Sequence, residues 1–173
     1  LSPEVYNRAF RILCHCVELE AKSHQDPTIV VPEKDFIITS LDLIDGLVQG
    51  LGAHSQDLLF PQGTKDLTIL KIMLECLQDP VHEVRQSCYA LLGDIVYFFN
   101  SELVIGNLED FLKLIGTEIM HNDDSDGTPA VINAIWALGL ISERIDLNTY
   151  IIDMSRIILD LFTTNTQIVD SSV

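Results

Sequence analysis

Two aspartates and the single tryptophan are the side chains whose type and spacing could bind a ligand. Asp42, Asp94 and Trp136 lie in three similar glycine-containing segments that have helical periodicity. A carboxylate pairs with arginine or lysine, and the face of an indole ring attracts the same cations. The three residues therefore predict a surface for a basic partner. The alternative is that Trp136 packs in the interior and the two carboxylates are only solvated.

The segments that carry these residues form an internal repeat, in which Gly46, Gly93 and Gly139 are spaced 47 and then 46 residues apart. Apolar residues stand nine, five and two positions before each glycine and two positions after it, which is one stripe of an α-helix. The stripe comprises Ile37, Leu41, Ile44, Val48, Val84, Cys88, Leu91, Ile95, Ala130, Ala134, Ala137 and Ile141. The opposite face carries Ile38, Thr39, Asp42, Leu43, Leu47 and Gln49, then Arg85, Gln86, Tyr89, Ala90, Asp94 and Val96, then Val131, Ile132, Ile135, Trp136, Leu140 and Ser142. We expect this face to line the concave surface of a solenoid.

The whole chain reads as helices separated by loops. The patterns predict helices over about 5–21, 34–51, 67–77, 80–99, 103–120, 129–145 and 149–162, with another opening at 168–169. Because no segment alternates as a strand does, we expect an all-α protein. A helix pair recurring at this period is typical of HEAT and armadillo repeats, which predicts a HEAT solenoid of antiparallel pairs. The expected division is 1–52, 55–100, 103–145 and a partial fourth pair at 148–173, all within one superhelix.

Residues for catalysis or metal binding are not found in a suitable pattern. The histidines at 15, 24, 54, 82 and 121 and the cysteines at 14, 16, 76 and 88 lack metal-ligand spacing. Residues 122–127 resemble the start of a calcium loop, but the required acids at its first and twelfth positions are Asn122 and Asn133. We expect no metal, no cofactor and no enzyme activity. The few scattered cysteines favour a reducing, intracellular compartment.

The charge excludes several partners. The chain has 10 Lys+Arg and 26 Asp+Glu, a net charge of −16, yet 47% of its residues are hydrophobic, so it is not a disordered acidic tail. Direct nucleic-acid binding needs a basic surface, and an anionic membrane is disfavoured for the same reason. We also expect no membrane insertion, because no stretch looks sufficiently apolar and free of charge to span a bilayer. Acidity favours a basic partner, or serves only solubility.

Several motifs resemble the transportin (karyopherin-β2) family of nuclear import receptors. The motifs are KDFII at 34–38, LDLIDGL at 41–47, GLG at 50–52, CLQD at 76–79, EVRQS at 83–87, ALLGD at 90–94, LIGT at 114–117 and NAIWALG at 133–139. They follow the family's order from about residue 5 to the end, with details closer to fungal than to animal members. Transportins are much longer HEAT solenoids, so the resemblance implies a fragment of the C-terminal arch.

The resemblance implies a function for the expected concave face. Transportins bind proline-tyrosine nuclear localisation signals, and this part of the arch takes the signal's N-terminal basic or hydrophobic motif. The family's contact positions fall on Ile38, Asp42, Gln86, Asp94 and Trp136. Two further contact positions depart from the family, because Gln49 replaces a glutamate and Thr128 replaces an apolar residue.

The implied partners are basic signals of cargo proteins, RNA-binding proteins among them. The full-length receptor would also bind Ran GTPase and nucleoporins and would shuttle between cytoplasm and nucleus. Because the proline-tyrosine end of the signal and the Ran site belong to earlier repeats, we expect this fragment alone to bind a whole signal weakly. The alternative is a non-enzymatic HEAT scaffold of another assembly, which would bind through its first helices. In that case substitutions of Arg11, Lys71 or Lys113 would matter more than those of Trp136.

Overall fold

A computed structural model describes residues 2–61, 68–120 and 127–164, and the side chains of residues 161, 162 and 164 are outside that description. Within these ranges the regular elements are helices. They are α1 (Ser2–Ser23), α2 (Asp35–Leu51), a 3-10 turn (Gly52–Ser55), α3 (Gln56–Leu59), α4 (Thr68–Cys76), α5 (His82–Phe98), α6 (Glu102–Ile105), α7 (Leu108–Met120), α8 (Thr128–Arg144) and α9 (Ile151–Thr164). The predicted all-α class is confirmed for the described part of the chain. The calcium-like loop and the helix expected at 168–169 fall largely or wholly outside it.

The helices pack in the order that a HEAT solenoid requires. Helix α1 packs against α2, α4 against α5, and α7 against α8, which gives three successive pairs. The second helices α2, α5 and α8 lie side by side, while α1 contacts α4 and α7 contacts α9. The predicted stripe fills the space between them, since each of its twelve residues is at most 1% exposed. Burial of these apolar side chains is the main force that holds the pairs together.

The opposite face of the central helix differs from the prediction. Tyr89, Asp94 and Val96 of α5 were expected on an open surface, but they are 0%, 6% and 0% exposed. The reason is that α5 has a second helix on each side, α2 and α8, so its flanks are buried as well as its core stripe. The Tyr89 hydroxyl donates a hydrogen bond to the carbonyl of Leu114, 3.1 Å away, which satisfies its buried polar group.

Five charged residues form a ladder that crosses the three helix pairs near the start of α2 and α5. Lys34 pairs with Glu20 of α1 at 2.5 Å and also with Asp79, which precedes α5. Asp79 accepts a hydrogen bond from the backbone N–H of Val81 at 2.8 Å, and its carbonyl accepts one from Arg85 at 2.8 Å. Arg85 then makes two hydrogen bonds, of 2.6 and 3.1 Å, to Glu118 of α7. We call Glu20, Lys34, Asp79, Arg85 and Glu118 the ion-pair ladder.

Two local features differ from the expected helices. The helix predicted over 103–120 is divided into α6 and α7 at Gly106 and Asn107, where glycine lowers helix propensity. The segment after α2, predicted as a loop, contains a 3-10 turn and α3. Gly52 makes this change of direction possible, because its φ of 54° is one that other residues rarely adopt. The buried side chains of Leu59 and Phe60 fix the turn on the core.

One helical stretch, Asp35–Leu59, has the length and mean hydropathy (1.4) of a membrane span. This stretch meets the first of the two expected conditions, sufficient hydropathy, but it is not free of charge, because it contains Asp42 and Asp45. The fold provides another place for these apolar residues, because α2 packs against both α1 and α5. Ile37, Leu41 and Ile44 are at most 1% exposed in that packing. Contacts between helices thus bury part of this stretch, about a third of the apolar window.

Candidate functional site

The contact between Gly93 and Trp136 brings α5 and α8 together. A Cβ atom added to Gly93 would lie 2.1 Å from the six-membered ring of Trp136, so only glycine leaves room for the indole. The same addition at Gly46 or Gly139 would meet nothing within 4 Å. Trp136 remains 44% exposed, and it therefore rests on the α5 backbone without entering the core. The result is an apolar platform on Gly93, the residue that precedes Asp94 in α5.

Asp94 and Asp45 form a buried acidic pair between α5 and α2. Asp94 is 6% exposed and Asp45 9% exposed. In the described part of the chain, Oδ2 of Asp94 and Oδ1 of Asp45 are buried and receive no hydrogen bond from an N–H or hydroxyl donor. The pKa of Asp45 is raised to about 8, mainly by burial, with a hydrogen bond to Asp94 and repulsion from Asp94 and Asp42 acting in the same direction and the hydrogen bond from Gln49 opposing them.

Two exposed residues of α2 lie at the edge of this pair. Asp42 and Gln49 stand one turn before and one turn after Asp45, on the same side of the helix. The Nε2 of Gln49 donates a 2.9 Å hydrogen bond to Oδ2 of Asp45, so its side chain lies over the buried carboxyl group. We call Asp42, Asp45, Gln49, Asp94 and Trp136 the acidic face.

Comparison with known proteins gives one family-model match and several relatives. A HEAT-repeat model matches residues 69–99, which cover α4 and α5. Importin subunit beta-2 of Saccharomyces cerevisiae is 98% identical over all 173 residues, which are 19% of its own length. The chain belongs to the transportin family. Importin subunit beta-2 of Schizosaccharomyces pombe is 37% identical over 79% of the chain and 14% of its own length. Human transportin-1 is 37% identical over 69% of the chain and 12% of its own length. The chain thus spans less than a fifth of each of these relatives.

Three residues matched to transportin contact positions lie outside the acidic face. Ile38 is half-buried against the core, one turn before Asp42. The backbone carbonyl of Gln86 accepts a 3.0 Å hydrogen bond from Asn133 of α8, and its side chain is half-buried. Thr128 is the first residue of α8 and is also half-buried. No contact described for these three side chains links them to the pair of aspartates.

Asp45 was not among the predicted transportin contact residues, although the structure places it at the centre of the acidic face. Its equivalents in the other two repeats are Leu92 and Leu138, which are 0% and 7% exposed. A carboxylate at a position that the other copies fill with buried leucine costs desolvation energy. That local exception to the repeat pattern is the signal that could have identified Asp45 from sequence.

The chemistry available on the acidic face is recognition of a cation and an apolar group. Among the described residues, no group of three His, Cys, Asp or Glu side chains is positioned to hold a metal ion. The carboxyl groups of Asp42, Asp45 and Asp94 can accept hydrogen bonds from a guanidinium or ammonium group. Trp136 can cover an aliphatic side chain or the cation itself.

Proposed function

We propose that this transportin-family chain is the part of a nuclear import receptor that binds the basic or hydrophobic N-terminal part of a proline-tyrosine nuclear localisation signal. The observation that carries the proposal is the acidic face, where two buried carboxyl groups form no ion pair with the described residues and a half-exposed tryptophan packs on Gly93, next to Asp94 in sequence. An extended peptide crossing α2, α5 and α8 would place a basic side chain at Asp42 and Asp94. A large apolar or basic side chain would lie on Trp136. This face would be concave, as the repeat pattern predicts for second helices.

The remaining transportin contact positions would take other parts of the same signal. Ile38 would contact an apolar side chain, while Gln86 and Thr128 would hydrogen-bond to the extended backbone. The net charge of −16 would steer a basic segment toward the face and speed its association. The apparent affinity should therefore fall as salt is raised toward about 1 M, where the screening length is about 3 Å.

The names of the relatives support a role in import for the longer protein that contains such a chain. Its cargoes would carry basic signals, as RNA-binding proteins do. Ran GTPase and nucleoporins would bind other repeats, and the receptor would move between cytoplasm and nucleus. The proposed function needs neither a catalytic group nor a cofactor, because recognition alone accounts for transport of a cargo.

A peptide titration tests the proposed site. Because Trp136 is the single tryptophan, its fluorescence would report directly on a capped, arginine-rich peptide that contains one leucine and glycine and serine spacers. Asp42→Lys should weaken binding more than tenfold, since this exposed position tolerates a long side chain and the substitution reverses its charge. A labelled peptide would then measure binding to Trp136→Ala, for which we expect a similar loss.

A matched substitution on a first helix separates this function from the scaffold alternative. Arg11→Ala changes an exposed residue of α1 and should leave peptide binding unchanged. If Arg11→Ala weakens binding while Asp42→Lys and Trp136→Ala do not, the partner binds through the first helices and the proposed function is wrong. Far-ultraviolet circular dichroism of all three variants would show that the helices are intact.

A further inference from the structure

We propose that the Asp45–Asp94 pair holds one proton in the unliganded chain and releases it to solvent when a guanidinium or ammonium group binds there. Recognition of a basic residue at this position would then be coupled to proton release. The inference rests on the proposed function, because it describes how the acidic face accepts a cation. It adds Asp45 as a residue that determines specificity, and it makes the affinity for basic peptides dependent on pH.

The first argument is the geometry of the pair. Two carboxyl groups from different helices meet where each is at least nine-tenths buried, and one oxygen of each has no N–H or hydroxyl donor in the described part of the chain. Two carboxylates cannot both be ionised at such a place without strong repulsion in a medium of low dielectric constant. A shared proton removes the repulsion and turns one oxygen into a hydrogen-bond donor. One of the two negative charges is then neutralised without a cation from the protein.

The second argument is the set of charged groups around Asp45. On its own helix the nearby groups are Asp42, which is acidic, and Gln49, which is neutral. From α5 the group is Asp94, and α1, the other long helix against α2, contributes no charged side chain that acts on Asp45. From α8, Trp136 rests on Gly93, the residue that precedes Asp94 in α5. Since burial and two acidic neighbours all act in one direction, the pKa of Asp45 lies near 8, and the proton is retained at neutral pH.

The third argument is access. Gln49 is exposed and covers Asp45 through one hydrogen bond, so rotation of this side chain opens the carboxyl group to the surface. An arriving guanidinium group can replace both Gln49 and the shared proton, since it offers several N–H donors and a full positive charge. Asp42 acts on Asp45 from one turn earlier in α2 and would hold the arriving side chain. The proton leaves as the second carboxyl group ionises, so charge and atoms balance.

Isothermal titration calorimetry measures the proton directly. Binding of the arginine-rich peptide is recorded at pH 7 in phosphate and in Tris, two buffers with very different ionisation enthalpies. With the pKa of Asp45 near 8, about 0.9 proton should be released per peptide at pH 7, and almost none at pH 9.5. By linkage the affinity should rise with pH, by up to about tenfold per unit between pH 6 and 7, and then level off above pH 8.

Matched variants assign the proton to the pair. Asp45→Asn supplies an amide donor to Asp94 and needs no shared proton, so proton release should fall to near zero and the pH slope should disappear. Asp42→Asn removes a carboxylate outside the pair, and it should bind more weakly but release the same proton. A peptide with citrulline in place of arginine has the same shape without the charge, and we expect no proton release with it.

Two results would overturn the proposal, and they are distinguishable. Saturable binding with equal heats in the two buffers would show that no proton is released, which contradicts this inference and leaves the proposed function intact. Absence of saturable binding at every pH from 6 to 9.5 would contradict both. Carboxyl ¹³C NMR of the unliganded chain provides a measurement that needs no variant. One Asp resonance should titrate near pH 8, and its absence would also overturn the proposal.

Discussion

The ion-pair ladder and the acidic face both contain buried carboxylates, but they differ in how these carboxylates are paired. In the ladder, Asp79 and Glu118 are each at most 8% exposed, and each pairs with a basic side chain of another element. In the acidic face, Asp45 and Asp94 are equally buried, but no Lys or Arg in the described part of the chain forms an ion pair with them. Asp79 and Glu118 of the ladder are therefore paired within the described residues, whereas Asp45 and Asp94 are not. Burial alone does not distinguish the two groups of carboxylates, but the presence of an ion-pair partner does.

The largest effect should come from breaking the ladder. Arg85→Ala leaves Glu118 buried without its partner, and we expect the free energy of unfolding to fall by about 3 kcal/mol. Urea denaturation followed by circular dichroism measures this change. Lys22→Ala, which removes the exposed i,i+4 pair with Glu18, is the control and should change little. Equal stability of the Arg85 variant and the wild type would show that the ladder is not a structural feature.

Substitution of Gly93, on which Trp136 packs, should have a smaller effect on stability but a large effect on peptide binding. In Gly93→Ala the new methyl group cannot coexist with the indole, so we expect a loss of about 2 kcal/mol. Gly139→Ala has open space around its Cβ and should instead gain up to about 1 kcal/mol from helix propensity. Thermal unfolding and the wavelength of Trp136 fluorescence would both report the difference. Identical behaviour of the two variants would contradict the packing of Trp136 on α5.

The smallest effect should come from relieving the acidic pair. An acid whose pKa is higher in the folded than in the unfolded state binds more protons when folded. The contribution of Asp45 is therefore present below about pH 4 and is lost as pH rises toward 8. Asp45→Asn should show a weaker decline over that window, with little advantage over wild type at pH 5 and a growing one toward pH 8. Denaturation at pH 5, 6.5 and 8 measures this, and parallel curves would contradict it.

Periodicity predicted the core of this chain well, because a buried stripe is imposed by helix geometry. All twelve stripe positions are buried, and the repeat identified α2, α5 and α8 as equivalent helices. What periodicity cannot supply is the lateral environment of each helix. Tyr89 and Val96 are buried since α5 has neighbours on both sides, which the pattern of a single helix does not contain.

The candidate site was predictable in type but not in detail. Asp94 and Trp136 follow from spacing and from the family resemblance, and their roles as contact residues stay predictions. The roles of Asp45 and Gly93 depend on contacts between repeats, with Asp94 in one case and Trp136 in the other. The three repeated glycines look alike in sequence, yet only the surroundings of Gly93 exclude a side chain. Such contacts arise from tertiary packing, which local patterns do not encode.

The position of the ladder has a mechanical consequence. It fastens the three helix pairs at one edge, beside the start of α2 and α5, whereas Asp45 and Asp94 lie more than ten residues further along the chain from Lys34 and Asp79. At 1.5 Å per residue, the two aspartates lie about 15 Å along the helices from the ladder. The ion pairs of the ladder therefore join neighbouring helix pairs at an edge that is separate from the two aspartates, so either group can be substituted without touching the other.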